Sequence, residues 1–208
     1  MAQAPFQKHL AEIGVVLSKS VKTIVDQVDA MKRLVNEFRD YARLPVAELK
    51  TLDLNVLVQD VMQLYGNENA AVPVRAELDA SCPAIQGDAQ QLRQVVHNLL
   101  QNAQDATEGR SDPVVSIATQ WVPTSGRVRL VVRDNGPGFP AKILKRAFEP
   151  YVTTKSRGTG LGLAVVKKIA EEHSARIDLK NRELDGVVIG AQVSLSFQVA
   201  DSQQNQLL

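Results

Sequence analysis

Cysteine is almost absent from this 208-residue chain: Cys82 stands alone. One cysteine excludes an internal disulfide and a cysteine-built metal cluster, and it fits a reducing compartment. Charge imbalance is equally scarce, with 24 Lys and Arg against 23 Asp and Glu for a formal net charge of +1. That balance gives no bulk electrostatic case for nucleic acid or an anionic membrane. No apolar run approaches the ~20 residues of a membrane-spanning helix. The first residues carry no signal-peptide apolar segment, and there is no internal repeat. The common phosphate loop, G-x-x-x-x-G-K-[ST], is missing as well.

What is present suits a soluble domain plus an extension. The length allows one solid core, and 44% hydrophobic with 23% charged residues is ordinary. Residues 7–17 allow a short helix with Leu10, Ile13, Val16 and Leu17 on one side. A clearer helix spans residues 18–44, where Val21, Ile24, Val28, Met31, Val35 and Phe38 recur at spacings of three and four. Pro45 stops it at or before Leu44. About 25 residues is long for a small domain. The helix either packs along its own domain or forms half of an interchain bundle.

After a connector, Asp53 or Asn55 caps a helix over residues 54–65. Residues 72–78 read as a strand, with Pro73 marking an edge. Asp88 caps a helix reaching about Ala106, whose apolar face is Leu92, Val95, Val96, Leu99, Leu100 and Ala103. Residues 114–121 and 127–133 form a hairpin. Short helices follow at 142–148 and 163–173, then strands at 176–181 and 187–199 about an Asp185-Gly186 turn. Antiparallel pairs mixed with helices predict an α+β fold. Its form is a two-layer α/β sandwich, a mixed sheet covered on one face by helices. Residues 201–208 form a Gln-rich tail.

The chain is organised around residues 134–162. Asp134 ends an alternating apolar strand and opens D-N-G-P-G, so a carboxylate sits on a rigid strand end beside glycines that admit close backbone approach. A second cluster, Gly158-Thr159-Gly160-Leu161-Gly162, leads into a helix, whose first N–H groups attract phosphate. Together they suggest a nucleotide held by its base near Asp134 and by its phosphates near Gly160. On the helix before them, Asn98, Asn102 and Asp105 share one face. The amide oxygen of Asn102 can ligate Mg2+ beside phosphate oxygens. Taken alone, these amides would read as a solvent face.

In combination, the motifs resemble the catalytic domain of sensor histidine kinases. Asn98-Leu99-Leu100-Gln101-Asn102-Ala103 resembles its N-box, and Asp134-Asn135-Gly136-Pro137-Gly138 its first glycine box. Phe148-Glu149-Pro150-Tyr151 resembles the F-box, and Gly158-Thr159-Gly160-Leu161-Gly162 the second glycine box. The likeness covers roughly residues 50–200. The wider superfamily holds gyrase, heat-shock-90 chaperone and mismatch-repair ATPases. Residues 31–45 resemble the end of the dimerisation region of NtrY-type nitrogen-regulation kinases.

The resemblance implies roles. Asp134 would accept from the adenine amino group and so favour ATP over GTP, with Gly136 and Gly138 admitting the base. Asn102 would ligate Mg2+, with Asn98 nearby and Asp105 in support. Lys155 and Arg157 would neutralise phosphate charge from a lid over residues 152–157. Gly158, Thr159, Gly160, Leu161 and Gly162 would line the phosphates, with N–H groups of Gly160 and Gly162 presented to them. Phe148 and Tyr151 would pack and anchor the lid. The cofactors implied are ATP or ADP and Mg2+.

The same resemblance divides the chain into three parts. Residues 1–45 would be a partial dimerisation region, 46–200 the ATP-binding domain and 201–208 the tail. The partners implied are a second copy through the N-terminal helix and a response-regulator receiver domain, and nucleic acid is not among them. The location implied is a cytoplasmic domain, not itself inserted in a membrane, of a parent that can be anchored in the inner membrane.

Two features depart from the family pattern. No H-E-[hydrophobic]-x-N-P phosphoacceptor string occurs, and neither His9, His97 nor His173 has that context. The expectation is therefore a kinase domain whose acceptor helix is missing, and which does not phosphorylate itself. Gly190-Ala191 also stands where the family often has Gly-Thr. The alternatives are an ATP-driven conformational module of gyrase or chaperone type, and an adaptor that no longer binds nucleotide. Asn98 stands where the former would place an activating Glu, and the intact glycine boxes speak against the latter.

Overall fold

The computed structural model of the chain describes residues 3–42, 44–65, 72–155 and 158–200. It divides into two compact units, Met1–Arg43 and Leu44–Leu208.

The first unit is one helix, α1 (Gln3–Ala42), of 40 residues and about 60 Å at 1.5 Å per residue. The separate short helix expected at 7–17 is corrected: it is continuous with the longer one. Nothing between them breaks a helix. Gly14 costs only about 1 kcal/mol, and Pro5 lies in the first turn, where its missing N–H has no helical partner to lose. The helix ends before Pro45, as the proline demands. Leu17, Val21, Ile24, Val28, Met31, Val35 and Phe38 are all exposed within this chain. Their alternating spacing of four and three is the pattern of apolar positions found in helix-pairing seams.

In the second unit the connector is more ordered than its composition suggests. β1 (Lys50–Leu52) pairs antiparallel with β3 (Ile85–Gly87). Three-residue strands are too short to carry a readable alternation, and β1 was expected as loop. The connector is also tied by Gln91 Nε2, which donates to the Pro45 carbonyl at 2.8 Å. The Glu48 N–H donates to Asp88 Oδ2 at 3.0 Å. Asp53, not Asn55, caps α2 (Leu54–Tyr65), its Oδ1 accepting from the N–H groups of Asn55 and Val56. The Asn55 side chain instead bridges the Asp79 carbonyl and the Thr119 hydroxyl.

Asp88 caps α3 (Ala89–Thr107) by accepting from Gln90 and Gln91 N–H. A cap of this kind stabilises a helix by about 1 kcal/mol. The Asp88 N–H donates to Nε2 of the buried His173 at 2.9 Å. His173 Nδ1 lies 2.8 Å from the Ile169 carbonyl. An acceptor at Nε2 and a carbonyl at Nδ1 require the neutral ring with its proton on Nδ1. The imidazole thus joins the start of α3 to the end of α5 (Gly162–Glu172).

The main sheet has five strands in the order β2-β4-β5-β7-β6. They are β2 (Val74–Leu78), β4 (Val115–Val122), β5 (Arg127–Asp134), β6 (Arg176–Leu184) and β7 (Val187–Gln198). β2 runs parallel to β4 at the edge that Pro73 marks, and the other pairs are antiparallel. Val115, Ile117, Val128, Leu130, Leu195 and Phe197 on one face are buried together with Leu57, Leu92, Leu99 and Ile169 of α2, α3 and α5. This is the expected α+β sandwich. The helix expected at 142–148 is shorter: α4 (Ala141–Leu144) has four residues. The β6–β7 turn places both Asp185 and Gly186 at positive φ, as a two-residue hairpin loop requires.

Candidate functional site

The C-terminal end of β5 delivers Asp134 into the layer between sheet and helices, where only 8% of it stays exposed. Its Oδ1 accepts from the N–H groups of Gly136 at 2.8 Å and Ala191 at 3.1 Å. Among the described residues no donor reaches Oδ2. Burial pushes the carboxyl above its ordinary range, against the lowering effect of those two N–H groups and of the Arg182 and Lys155 charges. The site therefore keeps a carboxylate in a poorly solvated place with one oxygen satisfied from within.

The surrounding backbone is packed too closely to admit side chains. A Cβ on Gly190, whose φ is 149°, would overlap the Asp134 carbonyl. A Cβ on Gly136 would lie 2.7 Å from the Ala106 carbonyl. Gly138, at φ 71°, faces Asn181 and Val188. Asn181 clamps the next residue, accepting from the Phe139 N–H at 2.8 Å and donating to its carbonyl at 2.9 Å. Arg182 donates to the Asp134 carbonyl at 2.9 Å. Asn181, Arg182, Gly190 and Ala191 complete this end of the site without belonging to the sequence-predicted set. They lie some fifty residues on, and only the β5–β7–β6 register brings them to Asp134. Gly190-Ala191 was visible as a motif. Its backbone N–H, not a side-chain hydroxyl, supplies the contact.

At the opposite end stands α3. Asn102 and Asp105, one turn apart, both accept from Lys155. Its Nζ lies 3.1 Å from Asn102 Oδ1 and 2.8 Å from Asp105 Oδ2. Gln101 Nε2 donates to Asp105 Oδ1 at 2.8 Å, so both carboxylate oxygens are engaged. Asn98 is half-buried, and among the described residues its side chain makes no hydrogen bond. Its neighbour His97 turns away, with Nδ1 2.6 Å from the Tyr65 hydroxyl.

The loop carrying Lys155 has a closed neck. The Tyr151 N–H donates to the Gly160 carbonyl at 3.1 Å. A Cβ on Gly160, which sits at φ 71°, would lie 2.6 Å from the Tyr151 carbonyl carbon. Tyr151 itself takes φ 66°, an uncommon and strained conformation for an aromatic residue. Its side chain is 61% exposed, so the expectation that it packs is not met, whereas Phe148 is half-buried. Thr153 Oγ1 accepts from the Lys155 N–H within the loop, and Gly158 packs against that hydroxyl. Thr159 Oγ1 accepts from the Leu161 N–H. Arg157, predicted to share the work of Lys155, lies outside the described residues.

The loop leads directly into α5. Leu161 at the N-cap is itself helical and supplies no side-chain cap, so the N–H groups of the first turn lack the usual intrahelical or capping acceptor. The ideal Cβ position of Gly162, the first helical residue, is 3.5 Å from Asn102 Nδ2. Asn102, Lys155 and the uncapped start of α5 therefore converge. Among the described residues no group of three His, Cys, Asp or Glu is placed to hold a metal ion, and no helix is long and apolar enough to cross a membrane.

Comparison with known proteins identifies the family. The chain is 34% identical over 175 residues to an NtrY-like sensor histidine kinase of Rickettsia conorii, covering 84% of this chain and 29% of that one. It is 31% identical over 181 residues to the nitrogen regulation protein NtrY of Azorhizobium caulinodans, covering 85% and 23%. It thus spans less than a third of the length of these relatives. Full-length ShkA in complex with AMPPNP superposes with a TM-score of 0.69 at 27% identity, over 84% of this chain and 37% of that one. The isolated catalytic domain of histidine kinase ThkA gives 0.62 at 29% identity, over 73% and 95%. ThkA bound to the response regulator TrrA gives 0.69 at 24% identity, over 88% and 52%, a likeness of fold. The family described as histidine kinase-, DNA gyrase B- and HSP90-like ATPase matches residues 87–201, and with more than half of its length so matched, the chain belongs to that family.

Proposed function

We propose that residues 46–200 bind ATP and ADP as the phosphoryl-donor domain of a two-component sensor histidine kinase. The observation that carries this is Asp134: a buried carboxylate with one oxygen held by two backbone N–H groups and the other unclaimed by the protein. Such an oxygen accepts from an exocyclic amino group. The guanine carbonyl at the corresponding place would meet it acceptor to acceptor, which gives preference for adenine. Gly136 and Gly138 let the backbone close tightly around that carboxylate, and the uncapped N–H groups of α5 are suited to phosphate oxygens.

A divalent cation fits the opposite end. The Lys155 ammonium, lying between Asn102 Oδ1 and Asp105 Oδ2, is a positive charge standing where two oxygens converge. Asn102 would hold Mg2+, with Asp105 beside it, and Mg2+ would supply charge neutralisation of the phosphates. Lys155 would then follow the phosphates, Arg157 with it, while Gly158, Thr159, Gly160, Leu161 and Gly162 shape the phosphate-facing turn. Efficient hydrolysis of gyrase or chaperone type is disfavoured, because the amide of Asn98 is no base and both oxygens of Asp105 are already engaged.

In the parent protein the γ-phosphoryl passes to a histidine and then to a receiver-domain aspartate, and the α1 seam pairs with a second copy. The parent would carry this domain in the cytoplasm and can be anchored in the inner membrane. These 208 residues contain no H-E-x-x-N-P string, so they are expected to retain no acid-labile phosphate after incubation with ATP. The experiment is calorimetric titration with ADP, ATP and GTP, with and without Mg2+. Saturable adenine-selective binding supports the reading. Absence of binding by a folded chain overturns it in favour of a nucleotide-free adaptor.

A further inference from the structure

The helices cover one face of the five-stranded sheet, and the other face is strongly basic in a protein of net charge +1. The strand registers set its residues in rows. One row across all five strands reads Arg75, Ser116, Arg133, Gln192 and Lys180. Four residues along the strands, about 13 Å away, a second reads Gln120, Arg129, Ser196 and Arg176. The flanking row places Arg127 between Val122 and Gln198. Midway between these two rows lies a third, whose ends on the edge strands are the carboxylates Glu77 and Asp178. Between them the centre is small: Ala118, Val131 and Ser194, all buried. Six cations thus face two carboxylates, and the two lie on edge strands.

These cations are not neutralised internally. Among the described residues, the ion pairs involve Lys50, Arg93, Arg146, Lys155 and Lys167, and none of the six. Several are held in place by neutral acceptors instead. Arg133 Nε donates to Gln192 Oε1 at 3.0 Å, and Arg127 donates to the Ser196 and Ser174 carbonyls. Burial and the nearby charge of Arg176 both lower the Arg127 pKa, as expected of like charges crowded together.

We infer that this open sheet face docks a carboxylate-rich segment of a partner protein. Five of the six cations are arginines, whose planar fork matches a carboxylate through two parallel hydrogen bonds. Partial fixation by neutral neighbours lowers the entropy lost on docking. The rows span about 19 Å at 4.8 Å per strand, enough for an extended or helical acidic segment to lie across. Other anions fit less well. The six positions and their in-row neighbours include no aromatic ring on which a single-stranded nucleic acid could stack. No element projects from the rows to enter a duplex groove, and no exposed apolar side chain stands among them to insert into a bilayer. This surface is distinct from the nucleotide site and does not depend on that reading.

The test uses the whole chain and a fluorescent decaglutamate peptide, followed by anisotropy at about 50 mM salt. Arg129, Arg176 and Lys180 are exposed and make no hydrogen bond with described residues, so replacing all three by Gln leaves the fold intact. The charge-matched control replaces Lys142, Lys145 and Lys167, exposed residues away from the sheet face, by Gln. We expect at least tenfold weaker peptide binding for R129Q/R176Q/K180Q, less than twofold change for K142Q/K145Q/K167Q, and unchanged thermal unfolding for both. Equal losses in the two variants, no loss in the first, or no binding by the unsubstituted chain each overturn the proposal. Tighter binding of phosphatidylserine-containing vesicles, or of a single-stranded oligonucleotide, through the same three residues also overturns it and assigns the face to that partner. ADP titration of both variants reports separately on the nucleotide site.

Discussion

The two ends of the candidate site are built on opposite plans. At the Asp134 end, the hydrogen-bonding partners are backbone or strand-borne side chains: the N–H groups of Gly136 and Ala191, the Arg182 guanidinium and the Asn181 clamp, with Gly190 in close approach. At the Asn102 end, the chief contact is a single lysine on a loop, its ion pair with Asp105 more than a third exposed on both sides. The first plan suits recognition, in which a fixed donor–acceptor pattern must reject the wrong base. The second suits charges that rearrange when phosphate and metal enter. Under the proposed function, base selectivity would fall to the first arrangement and phosphate chemistry to the second.

The contrast can be broken most forcefully at its rigid end. Gly190→Ala puts a methyl group into the Asp134 carbonyl. It should destabilise the domain by about 3 kcal/mol and abolish ADP binding, as read by urea denaturation and calorimetry. Asp134→Asn keeps an oxygen for the two backbone donors but turns an amide N–H toward the ligand. It should weaken ADP about 100-fold, roughly 2.7 kcal/mol, without lowering the melting temperature.

Acidity sharpens the comparison further. The folded pKa of Asp134 is raised by burial, so ADP affinity should fall as pH drops through that value, above the ordinary ~3.9 of Asp. In the free protein the sign is opposite: the folded state takes up the proton more readily, so the contribution of Asp134 to stability is greatest at low pH and is lost as pH rises through the folded pKa. Asp88 behaves in reverse. Burial raises its pKa, but the Gln91, Glu48 and Gln90 N–H groups bring it below the ordinary value. Its contribution is present above ~3.9 and is lost as pH falls through the folded pKa. Thermal melts of D134N and D88N across pH 3–7 separate the two signs. The smallest effect belongs to Lys155→Met. Its half-exposed pair should be worth less than about 1 kcal/mol of stability, and ADP affinity should change less than tenfold while its response to Mg2+ changes.

What could be read in advance followed the range of the interaction. The Asp88 cap, the α3 apolar face, the β4–β5 hairpin and the Asp134-to-Gly138 turn depend on neighbours within one or two turns of chain, and each stands where local chemistry put it. β1 and β3 depend on each other across more than thirty residues and carry too few residues for a pattern. Asn181, Arg182 and Ala191 look like ordinary strand residues until the register sets them against Asp134. The continuity of α1 is legible only as the absence of a breaker between residues 7–17 and 18–44, since both stretches carry helical spacing. The basic sheet face was hidden for the same reason as the Asp134 contacts: its arginines come from three strands, and only pairing makes rows of them.

The division between a fixed base end and an adjustable phosphate end is tested most directly by ADP calorimetry on D134N, K155M and the double variant, each first shown to be folded. The account predicts a loss of about 100-fold for D134N, less than tenfold for K155M, and a double variant whose loss is the product of the two within a factor of two to three. Unchanged ADP affinity in D134N, or a loss in K155M as large as that in D134N, would contradict it.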